Sequence, residues 1–277
     1  MALLAGPRPF PPGPLARNDA STGSHVTIMP TDIPPPRRRT VTLSSNVARI
    51  PSIHVLTFAL PNGDALAFLP GQYVTFYLER NGKTLPRSYS IYSSPKRHDR
   101  FSLLIKVVPD GFASPYLCGL SSPSSLPLSV LAPLGRFILH DPSGRSVVLV
   151  ATGVGLAPFL PMLESLHENH PATPTTLFVG NRFVEEIVDR DRLTNLAKDW
   201  PSFRFVPVLS RPPSDGSWTG EVGHVEDPVR VLFPDLAQSD VYLCGATPMV
   251  NQMQELALTL NCPKDHVFVD RWGEHSG

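Results

Sequence analysis

Hydrophobic and polar residues alternate in six short runs between residues 40 and 140, and turn residues separate the runs. The runs are TVTLSSNVARI, IHVLTFAL, QYVTFYLER, RSYSIYSS, FSLLIKVV and LPLSVLAP. PNGD at 61–64 and ERNGK at 79–83 are typical turn sequences. Strict alternation predicts half-buried β-strands, and six strands at this spacing indicate an antiparallel β-barrel over residues 40–141.

The pattern changes after HDPSGR at 140–145, where apolar runs begin to alternate with helical ones. SVVLVA precedes LAPFLPMLESLHENH, TTLFVG precedes VEEIVDRDRLTNLAKDW, and DVYLCG precedes TPMVNQMQELALTL. FRFVPVLS precedes a long loop, and HVFVD closes the series. Strands that alternate with helices predict βαβ units and a doubly wound parallel sheet. The second predicted domain is therefore an α/β domain at 146–277.

Residues 1–39 are rich in proline and lack hydrophobic periodicity, which predicts a disordered tail. Its arginine run, Arg37 to Arg39, is interpreted as the solvated end of the tail, with docking of an acidic partner as the alternative. MALLAG is too short for a signal peptide. The longest apolar stretch, VVLVATGVGLAPFLPML, is interrupted by glycine and proline, so we expect no membrane span and a cytoplasmic protein.

Composition narrows the range of partners. The chain has 277 residues with 24 basic and 24 acidic side chains, so its net charge gives no electrostatic footprint for nucleic acid. Its three cysteines are too few and too scattered for a disulfide framework, a zinc site or an iron–sulfur cluster. We therefore expect no metal.

Two glycine turns follow strands of the α/β region. ATGVGLAP at 151–158 and CGATPM at 244–249 each stand between an apolar strand and a helix. Glycine lets the backbone approach a phosphate, and a helix N-terminus offers unpaired N–H groups. Because the carboxyl ends of parallel strands share one edge, both turns are expected at the same crevice. Ordinary structural turns are the alternative.

An ordered set of motifs resembles the ferredoxin–NADP(+) reductase family over residues 40–272. The motifs are LPRSYSIYSSP, IKVVPDGFASPYL, ATGVGLAPFLPML, GNR, LSRP and YLCGATPMV. The chain looks most similar to compact bacterial ferredoxin/flavodoxin reductases, and also to the reductase components of oxygenase systems. The resemblance implies a six-stranded FAD-binding barrel followed by an NAD(P)-binding α/β domain, in agreement with the pattern above.

The resemblance implies a flavin site on the barrel. Arg87 would pair with the pyrophosphate, Tyr89 would pack against the isoalloxazine ring, and Ser90 would lie near flavin N5. Lys106 would approach the adenosine side, with a solvated lysine as the alternative. FMN is the alternative to FAD. The complete set of flavin-binding candidates is Arg87, Ser88, Tyr89, Ser90, Lys106, Gly111, Ala113 and Ser114.

The resemblance also implies a nicotinamide nucleotide site. The pyrophosphate candidates are Thr152, Gly153, Gly155 and Pro158, and the candidates beside the nicotinamide are Cys244, Gly245, Pro248 and Met249. Arg182, Ser210 and Arg211 would bind the 2′-phosphate, which favours NADPH, with NADH as the alternative. Cys244 is either a catalytic residue with Tyr89 and Ser90 or a buried cysteine at a strand end. Trp272 either stacks on flavin or adenine or anchors the tail.

The implied activity is hydride transfer from NADPH to FAD, followed by one-electron transfer to a separate protein acceptor. Ferredoxin, flavodoxin and an oxygenase component are the candidate acceptors. A flavin or ferric reductase is the alternative enzyme. A non-catalytic electron-transfer subunit or a nucleotide-binding regulatory protein is the alternative outside that class.

Overall fold

The computed structural model describes residues 35–272, and Trp272 by its backbone alone. Six strands and one short helix form the first domain. They are β1 (Arg37–Ile50), β2 (Ile53–Ala59), β3 (Tyr73–Arg80), β4 (Lys83–Ser90), β5 (Arg100–Lys106), α1 (Ala113–Cys118) and β6 (Leu128–Leu134). The sheet order is β4-β3-β6-β1-β2-β5, and all its pairs are antiparallel.

The barrel closes where its edge strands meet. Ile91, directly after β4, forms an antiparallel bridge with Leu103 of β5. Inside, Phe58 lies between Phe76 and Phe101, with ring centroids 4.9 and 5.6 Å apart. Alternate apolar residues from β1, β2, β3, β5 and β6 fill the interior, as the period of two predicts, and Tyr89 of β4 packs against them. The predicted antiparallel barrel is therefore confirmed.

Strands and helices alternate in the second domain. They are β7 (Ser146–Thr152), α2 (Phe159–Asn169), β8 (Thr175–Asn181), α3 (Arg190–Asp199), β9 (Phe203–Leu209), β10 (Glu221–Val222), α4 (Glu226–Leu232), β11 (Ser239–Ala246), α5 (Thr247–Thr259) and β12 (Val267–Trp272). The order is β10-β9-β8-β7-β11-β12, with every pair parallel. Strands β8 to β10 are added on one side of β7, and β11 and β12 are added on its other side. The doubly wound sheet, with its switch point between β7 and β11, is therefore confirmed.

Three differences from the predicted elements have physical causes. Strand β1 begins at Arg37, and Arg39, only 10% exposed, pairs with the carboxylate of Asp64. The interpretation of Arg39 as a solvated tail residue was therefore wrong, whereas the prediction for residues 1–34 lies outside the described residues.

The second difference lies in the run 184–200, predicted as one helix. A short 3₁₀ turn at Val184–Glu186 precedes α3, and Asp189 between them has a left-handed backbone with φ of 56°. That conformation interrupts a helix. The third difference is the predicted long loop after β9, which contains β10 and α4.

The two domains share an apolar cluster. Ile53, Tyr92 and Leu104 of the barrel pack with residues of β7 and α2, including Leu149 and Leu163. The backbone N–H of His140 also donates a 3.0 Å hydrogen bond to the hydroxyl of Tyr242. A continuous buried cluster fixes the barrel against the sheet, so the two predicted ligand sites have a defined relative placement.

Candidate functional site

The two glycine turns touch each other at the switch point of the sheet. Thr152 ends β7, and its Oγ1 accepts a 3.1 Å hydrogen bond from the N–H of Ala246 at the end of β11. A Cβ on Gly155 would overlap the carbonyl oxygen of Cys244, and one on Gly245 would overlap Thr152 Oγ1. Gly155 and Gly245 are thus required by the close approach of two backbones, a role that the predicted phosphate contact did not include.

Gly153 differs from those two glycines. Its φ is +52°, and a Cβ on it would have no other protein atom within 4 Å. Its backbone therefore faces open space beyond the carboxyl end of β7, where a ligand can approach closely. This geometry fits a phosphate-binding turn. Pro158, with φ of −67°, is the N-cap of α2 and starts that helix behind the turn.

The second turn leads into α5. Pro248 lies in the first turn of α5, where its missing N–H costs no helical hydrogen bond. Met249 is 7% exposed and belongs to the apolar cluster behind the sheet, so its side chain contributes packing at this turn. Of the two, Pro248 lies nearer in sequence to the joined turns of Thr152 and Ala246.

The ends of β8 and β9 bring together the candidates for the 2′-phosphate. The N–H of Ser210 donates to the carbonyl of Asn181 at 3.0 Å, and the N–H of Arg211 donates to the carbonyl of Arg182 at 2.9 Å. Both arginines are exposed. The Arg211 guanidinium lies 6.0 Å from the ring centroid of Phe183, and neither arginine forms a salt bridge with a described carboxylate. The two cations therefore form a small basic edge.

Two further residues hold this edge and were not predicted from the sequence. Glu186 Oε2 accepts N–H groups of Arg182 at 3.0 Å and Phe183 at 3.4 Å. Burial alone would raise the pKa of Glu186, but those hydrogen bonds and the charge of Lys106 lower it overall. Asn181 is 9% exposed; its amide N–H donates to the Glu186 carbonyl, while its Oδ1 is buried without a protein partner. Asn181 Oδ1 is therefore a buried acceptor that no described protein group satisfies.

Cys244 is fully buried at the strand end. Its Sγ lies 4.0 Å from Oδ2 of Asp270 on the neighbouring strand β12. Burial, and then the charge of Asp270, raise the pKa of the Cys244 thiol well above its ordinary value. The group is therefore a neutral thiol near neutral pH, with no nucleophilic character. Trp272 pairs through its backbone with Ala246, so the end of β12 lies beside the second turn.

Strand β4 presents Arg87 and Tyr89 on one face. Their cross-strand neighbours are Phe76 and Val74, both fully buried in the barrel. The rings of Tyr89 and Phe76 meet edge to face with centroids 6.1 Å apart. Burial raises the pKa of the Tyr89 hydroxyl, which is neutral near pH 7. The Arg87 guanidinium donates to the carbonyl of Pro86 at 2.8 Å and pairs with no described carboxylate, so it is available to an anion.

The two serines of this strand differ from Arg87 and Tyr89. The Ser88 side chain alternates to the other face and forms a 2.9 Å hydrogen bond with the hydroxyl of Thr75. It is not brought together with Arg87 and Tyr89, because successive strand residues point to opposite faces. Ser90 ends β4 and is 6% exposed. Ser90 thus lies at the point where the strand passes into the interdomain cluster.

Helix α1 lies against the same side of the barrel as Arg87. Arg80 of β3 stacks over Phe112, the residue before α1, at 5.1 Å, and Ala113 packs into the barrel core. The N–H of Gly111 donates to the Val108 carbonyl at 2.9 Å. Ser114 Oγ accepts the N–H of Val108 at 3.0 Å, so this hydroxyl ties the loop to the helix. Arg80 lies four residues after Phe76, the cross-strand neighbour of Arg87, so Arg80 and Arg87 lie on one face of the sheet. The residue before α1 contacts that face through Arg80.

Lys106 lies elsewhere. It ends β5, and its Nζ is 3.3 Å from Glu186 Oε1 in the α/β domain. The structure therefore pairs Lys106 with the nucleotide-side segment of the other domain, and the predicted contact with FAD remains a prediction. No local sequence pattern signals this pair, because 80 residues separate its members.

The fold and these two surfaces define a class of protein, a two-domain oxidoreductase that binds a flavin and a nicotinamide dinucleotide. Residues 40–138 match the family described as Oxidoreductase FAD-binding domain, and residues 149–255 match Oxidoreductase NAD-binding domain. Ferredoxin--NADP reductase B of Sorangium cellulosum is 34% identical over 229 residues, which are 80% of this chain and 92% of that protein. The chain belongs to the ferredoxin–NADP(+) reductase family and is an oxidoreductase that uses FAD and a nicotinamide nucleotide.

Some other relatives are longer than this chain. The Xylene/toluene monooxygenase electron transfer component XylA of Pseudomonas putida is 33% identical over 208 residues, 75% of this chain but 58% of that protein. The crystal structure of Amycolatopsis cytochrome P450 reductase GcoB aligns with a TM-score of 0.78 at 26% identity, over 86% of this chain and 70% of that one. A Neisseria gonorrhoeae ferredoxin NADP+ reductase shares the fold, with a TM-score of 0.71 at 20% identity over 84% and 98% of the chains. None of the helices within 35–272 has the length and apolar character needed to span a bilayer.

Proposed function

We propose that the chain oxidises NADPH and passes the electrons, through FAD, one at a time to a separate protein acceptor. FAD, when bound, converts the two-electron hydride into single electrons. Arg87 and the start of α1 bind its diphosphate, and Tyr89 and Ser90 border its reactive ring. Gly153 and the helix α2 behind it bind the pyrophosphate of the nicotinamide nucleotide.

The observation that carries the preference for NADPH is the backbone hydrogen bond between Arg211 and Arg182. It holds two exposed guanidinium groups at neighbouring strand ends, and neither is neutralised by a described carboxylate. Arginine suits a phosphate because its planar fork donates two hydrogen bonds. Ser210, beside Arg211, adds a hydroxyl. An NADH site would instead present a carboxylate to the ribose.

The experiment compares NADPH with NADH in three proteins: the wild type, Arg211→Ala and the control Arg230→Ala. Arg230 is an exposed arginine of α4 in the same domain. Arg211→Ala should raise the KM for NADPH roughly ten- to a hundredfold, the loss of one charge-assisted pair, while kcat and the KM for NADH stay near wild type. Equal losses with both nucleotides would reject Arg211 as a phosphate ligand.

The acceptor is proposed to be a ferredoxin or flavodoxin. The relative from Sorangium cellulosum is named for ferredoxin, and the three cysteines of this chain cannot hold an iron–sulfur cluster. An oxygenase component is the second candidate, because other relatives are named as reductase components of propane and xylene/toluene monooxygenases. Titration of the NADPH-reduced protein with ferredoxin, flavodoxin, an oxygenase component and free flavin separates these candidates. Fast reduction of free flavin alone would favour a flavin reductase.

A cytoplasmic location is part of the proposal. Cys118, Cys244 and Cys262 are free and buried. Free thiols are the state that a reducing compartment maintains.

A further inference from the structure

A hydrogen bond buried between the domains joins Tyr92 to Asp189. Tyr92 lies two residues after β4 and is 7% exposed within the apolar cluster that the domains share. Its hydroxyl donates to the carboxylate of Asp189, which precedes α3 in the α/β domain. Burial, and then the Asp189 charge, raise the pKa of Tyr92, so the phenol is the protonated donor of this pair. The contact therefore links the strand of Arg87 to the nucleotide-binding domain.

The surroundings of Asp189 are charged on both sides of the interface. Its side chain is 9% exposed, and it faces Arg49 of β1 at 3.8 Å and Arg192 of α3 at 3.5 Å. A carboxylate with so little solvent requires such partners, because an unpaired buried charge is costly. Arg49 and Tyr92 belong to the barrel, whereas Arg192 belongs to the α/β domain. Asp189 is thus held by both domains.

The backbone of Asp189 supports a role in this contact. Its φ of 56° is a left-handed conformation that is unfavourable for residues other than glycine, least so for Asp and Asn. An aspartate before a helix commonly accepts an N–H of the first turn, yet the Asp189 side chain makes no such bond. Its carboxylate instead points to Tyr92. The position therefore serves the domain contact rather than the start of α3.

The two lysine–glutamate ion pairs between the domains are more exposed. Lys96 pairs with Glu168, and their side chains are 65% and 44% exposed. Exposed ion pairs contribute little to a fixed geometry. In the Lys106–Glu186 pair, the lysine is 47% exposed. Tyr92 and Asp189 provide a buried link between side chains of the two domains.

Given hydride transfer from NADPH to FAD, we propose that Tyr92 and Asp189 are positioning residues. Their hydrogen bond fixes the end of β4, which carries Tyr89 and Ser90, against the segment that follows Arg182. The reacting groups are bound by different domains, so the reaction distance depends on how the domains are held. A misplacement of about 1 Å lowers such a rate about a hundredfold.

The test uses Tyr92→Phe, Asp189→Ala and Asp189→Asn in the FAD-loaded protein, with Lys96→Ala as a matched interdomain control. Asparagine tolerates the left-handed backbone and keeps an oxygen acceptor for Tyr92, so Asp189→Asn should restore much of the loss. Four quantities are measured in each protein: the rate of reduction by NADPH after rapid mixing, the Kd for NADP+, the FAD content, and hydrogen exchange in residues 184–199. Tyr92→Phe and Asp189→Ala should each slow reduction about tenfold. FAD content and the Kd should stay within about twofold of wild type.

Hydrogen exchange provides the readout that needs no turnover. In Tyr92→Phe and in Asp189→Ala, the backbone amides of residues 184–199 should exchange hydrogen faster than in the wild type. The double variant should be reduced no more slowly than the slower single variant, because the two residues form one contact. Unchanged reduction rates in Tyr92→Phe and Asp189→Ala would overturn the proposal, as would additive losses. If NADPH fails to reduce the wild type, the proposed function fails, and unchanged exchange in the variants would still reject the domain contact on its own.

Discussion

Thr152 Oγ1 accepts a hydrogen bond from the N–H of Ala246 at 3.1 Å, and this bond joins the turns at the ends of β7 and β11. Gly155 and Gly245 allow the approach, because a Cβ on either one would overlap the opposite turn. The hydrogen bond between Thr152 and Ala246 forms within the protein itself, so the backbone of the two turns is already in place before a nucleotide binds. Preorganised backbone lowers the conformational cost of binding.

Thr152→Val should therefore weaken nucleotide binding. Valine has the shape of threonine but no acceptor, and the Ala246 N–H would lose its partner at a cost of about 1–3 kcal/mol. We expect the Kd for NADP+ to rise roughly five- to a hundredfold, with FAD content unchanged. Thr152→Ser keeps the hydroxyl and serves as the control. Calorimetric titration of the three proteins measures the effect, and equal affinity in Thr152→Val would show that the bond has no role in binding.

Arg87→Ala should release FAD. The guanidinium has no described carboxylate partner and lies with Tyr89 on the β4 face beside α1, so its removal leaves a diphosphate without a paired charge. The expected loss is about 2–4 kcal/mol of FAD binding. Arg100→Ala, which removes an exposed arginine of β5 paired with Asp99, should retain the flavin. Flavin absorbance after dialysis measures the FAD that each variant keeps. Full retention of FAD by Arg87→Ala would contradict the assignment of Arg87 to the diphosphate.

The local part of this site was predictable, and the part made by tertiary contact was not. Gly153, Arg87 and Arg211 stand in local motifs whose residue types suit a phosphate. Asp189 and Glu186 act through partners 97 and 80 residues away, and no local pattern encodes such pairs. The alternation in RSYSIYSS predicted a strand, but its bounds depended on which residues pair with β3.

Helix α4 and the role of Gly155 were also missed, each for its own reason. Glu226–Leu232 is short and has a proline in its first turn, so its periodicity is too brief to separate from a loop. The glycine at 155 was expected to serve a phosphate, yet its missing side chain is required by Cys244 of another strand. Sequence spacing identifies the edge of the sheet at which a residue lies, whereas the identity of its neighbour depends on strand order.

The three cysteines should resist thiol reagents in the folded protein. Burial raises the pKa of Cys118 and Cys262 to about 11, and burial followed by the Asp270 charge raises the pKa of Cys244 well above its ordinary value. At pH 8 a thiol of that pKa is ionised in roughly one molecule in a thousand. A colorimetric thiol assay should find no fast-reacting group in the native protein and three after unfolding. One fast native thiol, mapped to Cys244, would contradict the assignment of a neutral, enclosed group.

The stabilisation contributed by Glu186 should depend on pH. Its carboxylate accepts two backbone N–H groups and pairs with Lys106 at 3.3 Å. Burial opposes ionisation, but these partners prevail and lower the pKa below its ordinary value of 4.5. A group with a lowered folded pKa binds fewer protons in the folded state than in the unfolded one. Its contribution is therefore complete above about pH 5.5 and is lost as the pH falls through the lowered folded pKa.

Glu186→Gln should show this contribution as a difference in unfolding free energy. Glutamine keeps one oxygen for the N–H groups but loses the charge, so we expect the variant to be less stable by about 1 kcal/mol at pH 7. The difference should stay constant from pH 6 to pH 8 and shrink toward zero below the ordinary pKa of 4.5. Glu185→Gln, an exposed neighbour, should change stability little at either pH. Denaturant unfolding at pH 7, 5 and 3.5 measures all three proteins. If the stability difference between wild type and Glu186→Gln grew as the pH falls, its pH dependence would have the opposite sign. That result would reject Glu186 as a stabilising carboxylate at the domain interface.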